Sequence, residues 1–296
     1  MKKIHNILAI ALLLTSSAVM AQQESVISFY RQHMNLVNPA YVGVDSMSLA
    51  SSSLRKQWTG VDEAPETQTV SFGTPLGRNL GFGMTVIHDR TFIEKQTYVS
   101  VDFSYKVKMS PTADVYFGIK AGGNTYNVNA TGLETYNIVS DPALGAISNF
   151  NPNIGVGALY KEGALYVSLS IPRLLDTKRA TNDLGYASVT TDRPHIYLSA
   201  GYDFPINGEF SGLVFRPSTM VRYVNGAPVS IDLTAMLQIE KNFEIGGMYR
   251  TDRAYAAMST IRLSKRFVFG FAYEMSSQPT LAAARNTNEI LLQFRF

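Results

Sequence analysis

Four histidines, a short run of carboxylates and many serines are the residues of this chain with the plainest capacity for chemistry. The histidines are His5, His33, His88 and His195. They stand far apart, without the close repeat that a metal-binding pair on one element needs. His88 and Asp89 are adjacent, but neighbouring residues of a strand point to opposite faces, so they cannot act as a simple pair. Asp62, Glu63 and Glu66 could offer oxygen ligands to a hard cation, but a solvated acidic loop is the plainer account of them. A serine–histidine couple could support acyl transfer, yet no serine is marked by a neighbouring base. No G-x-S-x-G elbow, P-loop or H-E-x-x-H occurs. The chain has no Cys, which excludes disulfides and thiolate metal sites. This reading assigns no catalytic residue, no metal ligand and no cofactor.

Charge excludes another class. Twenty-six basic against 23 acidic residues give a net charge of +3 and a pI of about 8.9. No Lys/Arg-rich block is present, so no nucleic-acid partner is implied. The N-terminus does point to a compartment. Lys2 and Lys3 precede the apolar run Ile7 to Leu14, and a small-residue exit closes at Val19-Met20-Ala21. That is the layout of a cleaved secretory signal over residues 1–21. Beyond it no stretch approaches 18 uninterrupted apolar residues, so transmembrane helices are not expected.

The elements that would position any site are strands. From about Met47 to the end, apolar and polar residues alternate. Val99, Val101, Phe103, Tyr105, Val107 and Met109 interleave with Ser100, Asp102, Ser104, Lys106 and Lys108. Val229, Ile231, Leu233, Ala235, Leu237 and Ile239 interleave with Ser230, Asp232, Thr234, Met236 and Gln238. A soluble β-sandwich shows the same alternation. Two features favour a membrane. Several runs exceed the five or six residues usual for soluble strands, and a tilted spanning strand needs about 9–11. The chain also ends inside an alternating strand, with Ile290, Leu292, Phe294 and Phe296 on one face.

The spacing predicts strands near 47–58, 66–74, 79–89, 95–108, 112–126, 153–161, 164–172, 194–205, 210–223, 229–240, 242–251, 254–264, 266–276 and 287–296. About fourteen is an even number, as bacterial single-chain barrels require. Every second connection is short, and the long excursions near 127–152, 173–193 and 277–286 all fall in the odd set. That places them on one surface, the outer one if the termini are periplasmic. Pro217 interrupts one strand and calls for a bulge or bend. The physics is closure: hydrocarbon offers no hydrogen-bond partner, so an alternating sheet enters it only without a free edge. The expected fold is an all-β transmembrane antiparallel barrel over 47–296, with outer-membrane lipid around it. Interior positions rich in Gly, Ser, Ala and Thr suggest a lumen filled by backbone as much as by side chains.

Residues 22–46 have no long apolar face and cannot form a domain. A plug-like lead inside or beneath the barrel is expected. It carries Phe29-Tyr30-Arg31-Gln32-His33-Met34-Asn35 and then Asn38-Pro39-Ala40-Tyr41-Val42-Gly43, whose Asn-Pro and Gly are turn chemistry. Arg55-Lys56-Gln57-Trp58-Thr59-Gly60 and Pro65-Glu66-Thr67 follow. The order F-Y-x-Q-x-M-N, N-P-A-Y-x-G, R-x-Q-W-x-G and P-x-T resembles the PorP/SprF family of type IX secretion-system membrane proteins, as does the ending Asn288 to Phe296. His33 departs from it, since a Tyr more often follows that Gln. The resemblance implies a non-catalytic barrel serving protein secretion or gliding. Its implied partners are a secreted adhesin or its C-terminal domain, and periplasmic secretion or gliding machinery. It also singles out Asn38, Pro39, Tyr41, Gly43, Arg55, Gln57 and Trp58, which either contact a partner or fix the lead, with Trp58 alternatively in an aromatic belt. A porin or solute channel of the outer membrane is the rival reading.

Overall fold

Alternation with period two puts one residue set on each face of every strand. In the computed structural model those faces are inverted relative to a water-soluble protein. Described residues are 27–128, 147–178, 191–206, 212–252, 254–277 and 286–296. The expected signal at 1–21 and most of the expected outer excursions lie outside them.

Fourteen strands form the wall: β1 (Leu49–Lys56), β2 (Glu66–Gly77), β3 (Leu80–Thr91), β4 (Glu94–Lys108), β5 (Ala113–Val128), β6 (Ile147–Glu162), β7 (Leu165–Ile171), β8 (His195–Tyr202, continued by Phe204–Ile206), β9 (Leu213–Val224), β10 (Ser230–Ile239), β11 (Phe243–Arg250), β12 (Ala254–Arg262), β13 (Phe267–Ser276) and β14 (Asn286–Arg295). Each pairs antiparallel with its sequence neighbours. The sheet closes where β1 meets β14, from Leu49 opposite Arg295 to Lys56 opposite Asn288. No edge of the wall is left over, which is the condition the hydrocarbon imposes.

Burial follows the same logic. Ser100, Asp102 and Ser104 are buried while Val99, Phe103 and Tyr105 are 44–50% exposed. Ser230, Asp232 and Thr234 are buried while Leu233 is exposed. Apolar side chains therefore look outward and polar ones inward. The terminal Phe296 stacks on Phe72 of β2, with ring centroids 6.1 Å apart, and its backbone pairs with Ser48.

Three sequence expectations need correction. β6 begins at Ile147 rather than near 153, because the β5–β6 ladder continues out to Val128 opposite Ile147. The excursion near 173–193 holds a short ladder of its own, Thr177–Lys178 against Thr191–Asp192. Pro217 produces no bulge. Its strand stays in register with β10, where Pro217 faces Ala235. Opposite Pro217 the ladder to β8 lapses between the Gly201–Ser218 and Phe204–Phe215 pairs, then resumes unshifted. A residue without an N–H is accommodated by a gap in pairing, not by an extra residue.

Even-numbered connections span at most six residues, and those after β5 and β7 are the longest. The short set lies at the same end as Ser48 and Phe296.

Candidate functional site

The site is built from the segment that precedes β1. Its local structure is three short turns, a 3-10 turn at Tyr30–Gln32, one helical turn at Met34–Val37 and a second 3-10 turn at Pro39–Tyr41. Asn38 organises the last of these. Its Oδ1 accepts from the Ala40 N–H at 2.9 Å, and Pro39 at the first position of the turn has no N–H to leave unsatisfied. The Asn38 Nδ2 donates outward to the Ala158 carbonyl of β6 at 3.1 Å.

The wall answers this segment along its whole length. The Ser28 N–H donates to Glu289 of β14 at 2.8 Å. Tyr30 shares a 2.8 Å hydroxyl hydrogen bond with Ser218 of β9. Gln293 of β14 donates to the Gln32 carbonyl at 2.8 Å, and Ser170 of β7 donates to that of Val37 at 2.7 Å. Ser104 of β4 donates to the Val42 carbonyl at 2.5 Å. Lys120 of β5 reaches the Asn35 carbonyl at 3.2 Å and pairs with Asp102 at 2.8 Å, both side chains fully buried. Backbone groups with no partner inside the segment thus find one on the wall, as buried polar groups must.

Close approach is permitted by glycines on the inward face. A Cβ at Gly118 would lie 2.7 Å from the Ala40 Cα, and one at Gly157 would lie 3.1 Å from the Pro39 Cδ. At Gly83 it would meet the Val42 Cγ1 at 2.5 Å. Gly43 is itself left-handed, at φ +72°, and seats against Gly81 of β3. Phe29 enters a separate apolar nest of Met236, Met248, Met258 and Leu291.

Toward the long-connection end, a chain of alternating charges crosses the inner wall. Arg55 of β1 bonds Glu289 at 3.3 Å and Glu274 of β13 at 2.7 Å. Glu274 accepts from Arg250 of β11 at 3.1 Å, which bonds Asp232 of β10 at 2.7 Å; Asp232 also accepts from Arg222 of β9 at 2.9 Å. Three guanidinium groups and three carboxylates neutralise one another, the form in which buried charge is tolerated.

The sequence-predicted residues therefore divide. Asn38, Pro39, Tyr41 and Gly43 lie together on the inner wall, Tyr41 edge-on to Tyr166 with centroids 6.2 Å apart. Arg55 belongs to the charge chain. Gln57 and Trp58 lie beyond the end of β1, where the Gln57 N–H donates to the Pro65 carbonyl at 2.9 Å and Trp58 sits 6.3 Å from Phe92. His88 bonds Thr97. Glu66 pairs with Lys56 at 3.3 Å. Sequence reasoning did not find Glu274, Glu289, Arg250, Arg222 or the Lys120–Asp102 pair. Their only linear signal is a charge on the polar face of an alternating strand, as at Asp102 and Asp232.

A family model described as type IX secretion system membrane protein PorP/SprF matches residues 19–294. Among curated proteins the sequence has no match. Among solved structures, the CymD monoaromatic hydrocarbon channel is similar at a TM-score of 0.50 and 10% identity, covering 91% of this chain and 92% of that one. A Rh. blastica porin mutant is similar at a TM-score of 0.37 and 9% identity, covering 84% and 99%. At 10% identity the likeness to CymD is one of fold alone.

Proposed function

Because the chain belongs to the PorP/SprF family of type IX secretion system membrane proteins, we propose that it is a non-catalytic docking barrel supporting export or surface anchoring of a secreted partner. Fold and family make it an outer-membrane β-barrel. The partner that fits best is a large adhesin, engaged through its C-terminal domain at the long-connection end and served in secretion or gliding.

The observation that carries this reading is the seating of residues 28–43 along the inner wall, from the Glu289 contact to the Gly81 contact. A lumen crossed by its own chain, with its charges paired across the wall toward the long-connection end, suits a scaffold better than a conduit. The two longest connections gather at one end, which supports binding there. Their expected orientation is outward, since long loops of such barrels are extracellular. Energy for docking would come from buried aromatic anchors, not from the small net charge.

Mild detergent extraction from the native host should recover the barrel with its secreted adhesin, and deleting the barrel should remove that adhesin from the surface proteome. Recovery of the barrel alone, with an unchanged surface proteome, rules the reading out. The channel alternative predicts steady conductance in planar bilayers; the docking barrel predicts none.

A further inference from the structure

The end of the barrel with short connections holds a vestibule of about 420 Å³ that the docking reading does not use. Its lining contains Arg31, Lys161, Arg216, Lys241, Arg262 and Arg295, against only Asp45, Asp203 and Glu244. Asp203 is shared between Arg31 and Arg216, and Glu244 bonds Arg216, so those four charges cancel. Lys161, Lys241, Arg262 and Arg295 make no ion pair among the described residues; Asp45 is the acid of the lining left to set against them, and Asp114 of β5 stands opposite Lys161 in the ladder, so the net excess rests on Lys241, Arg262 and Arg295. Two donors on this lining are also buried without an acceptor among the described residues, Nη1 of Arg31 and Nε of Arg295.

We propose that this vestibule is a binding site for an acidic peptide segment presented from the short-connection side. Two features favour a segment over a passing solute. The lead, Arg31 to Val44, forms its inner side, so a ligand enters and leaves by the same mouth. The volume, within the ordinary range of ligand pockets of about 300–1,000 Å³, leaves room for such a segment without by itself selecting it. The excess cations are spread from Lys241, just before β11, across β12 (Arg262) to β14 (Arg295), too wide for one small anion but matched to several carboxylates along a chain. Arginine suits such carboxylates because its planar fork can take both oxygens. Short turns of outer-membrane barrels face the periplasm, so the partner would be a periplasmic protein with an acidic terminus or loop. This is independent of which protein the outer end carries.

The test uses the detergent-purified full chain and a fluorescein-labelled hexaglutamate peptide, read by anisotropy. The peptide should bind with an affinity that falls as salt rises, and a hexalysine peptide should not bind. Reversing Lys241→Glu and Arg262→Glu, neither of which bonds the lead, should weaken hexaglutamate at least about tenfold while the barrel stays heat-modifiable. Equal binding by that double variant would overturn the site. Complete displacement of the peptide by millimolar inorganic phosphate would overturn the acidic-segment assignment, since a small anion would then suffice.

Discussion

Gly118 of β5 lies directly under Ala40: a Cβ added there would sit 2.7 Å from the Ala40 Cα. The contact explains why a glycine stands in the middle of a long strand, where it weakens the strand itself. It also separates the seat from the wall experimentally. Gly118→Leu should leave the β-barrel closed, since β5 pairs on both sides through Ile119 and Phe117, yet it should expel the N-P-A-Y-x-G turn. Limited proteolysis would then cut between residues 29 and 44 while the barrel keeps its heat-modified gel shift. A lead that remains protected in this variant would show that the turn does not depend on the glycine seat.

Arg55 carries a different prediction. Its guanidinium bonds both Glu274 and Glu289, with all three side chains under 10% exposed. Removing one partner of a buried pair typically costs about 3–5 kcal/mol, because the remaining charge stays buried. Arg55→Ala should therefore lower the denaturation midpoint markedly, and Arg55→Lys less so, a single ammonium replacing the fork. Adding Glu274→Gln to Arg55→Ala should cost less than the sum of the two single changes, as expected for groups in one network. Strict additivity in chemical denaturation would remove the network from the account.

The strand pattern was legible in the sequence because lipid and lumen impose opposite polarities on alternate residues. Val99 and Ser100 declare their faces without knowledge of their neighbours. Paired motifs likewise marked Asn38 and Gly43, where turn chemistry is local. The charge chain was not legible. Arg55 and Glu274 are 219 positions apart, and only barrel closure through β14 brings them together. Glycines were readable as inward small residues, but not as the seat of one particular turn. That assignment requires knowing the path of the lead against β3, β5 and β6. The start of β6 is not legible because Asn149, Asn151 and Pro152 are turn-type residues, and only ladder pairing with β5 overrides that local preference.

His33 makes the lead sensitive to acid. It is 1% exposed, and neither ring nitrogen has a hydrogen-bond partner among the described residues. Burial lowers its pKa from 6.5 to about 4. A released lead would titrate near the ordinary value, about 6.5. Between those values the released state binds more protons than the seated one, so seating is strongest above about pH 6.5 and weakens as pH falls toward about 4. The equilibrium should shift by up to about tenfold per pH unit across that window. Hydrogen exchange in residues 29–44 should rise accordingly, and His33→Phe should flatten the profile. Exchange independent of pH in the unaltered chain would contradict the burial argument.

The ladder between β5 and β6 permits a clean test of the outer surface. Val128 pairs with Ile147, and directly opposed residues of an antiparallel pair have Cα atoms about 4.5–5.5 Å apart. Residues 129–146 can therefore be replaced by Asn-Gly, the two-residue turn that matches strand twist, without cutting into either strand. Extending the deletion to residue 150 would instead remove the pairing of Ser148, Asn149 and Phe150 with β5. We expect the 129–146 replacement to assemble and resist urea like the intact protein, but to lose its secreted partner on co-purification. Replacing 179–190 in parallel provides the comparison, since that segment follows the Thr177–Lys178 ladder. Partner retention in both variants, with surface display intact, would move the docking site away from the long connections and onto the barrel mouth.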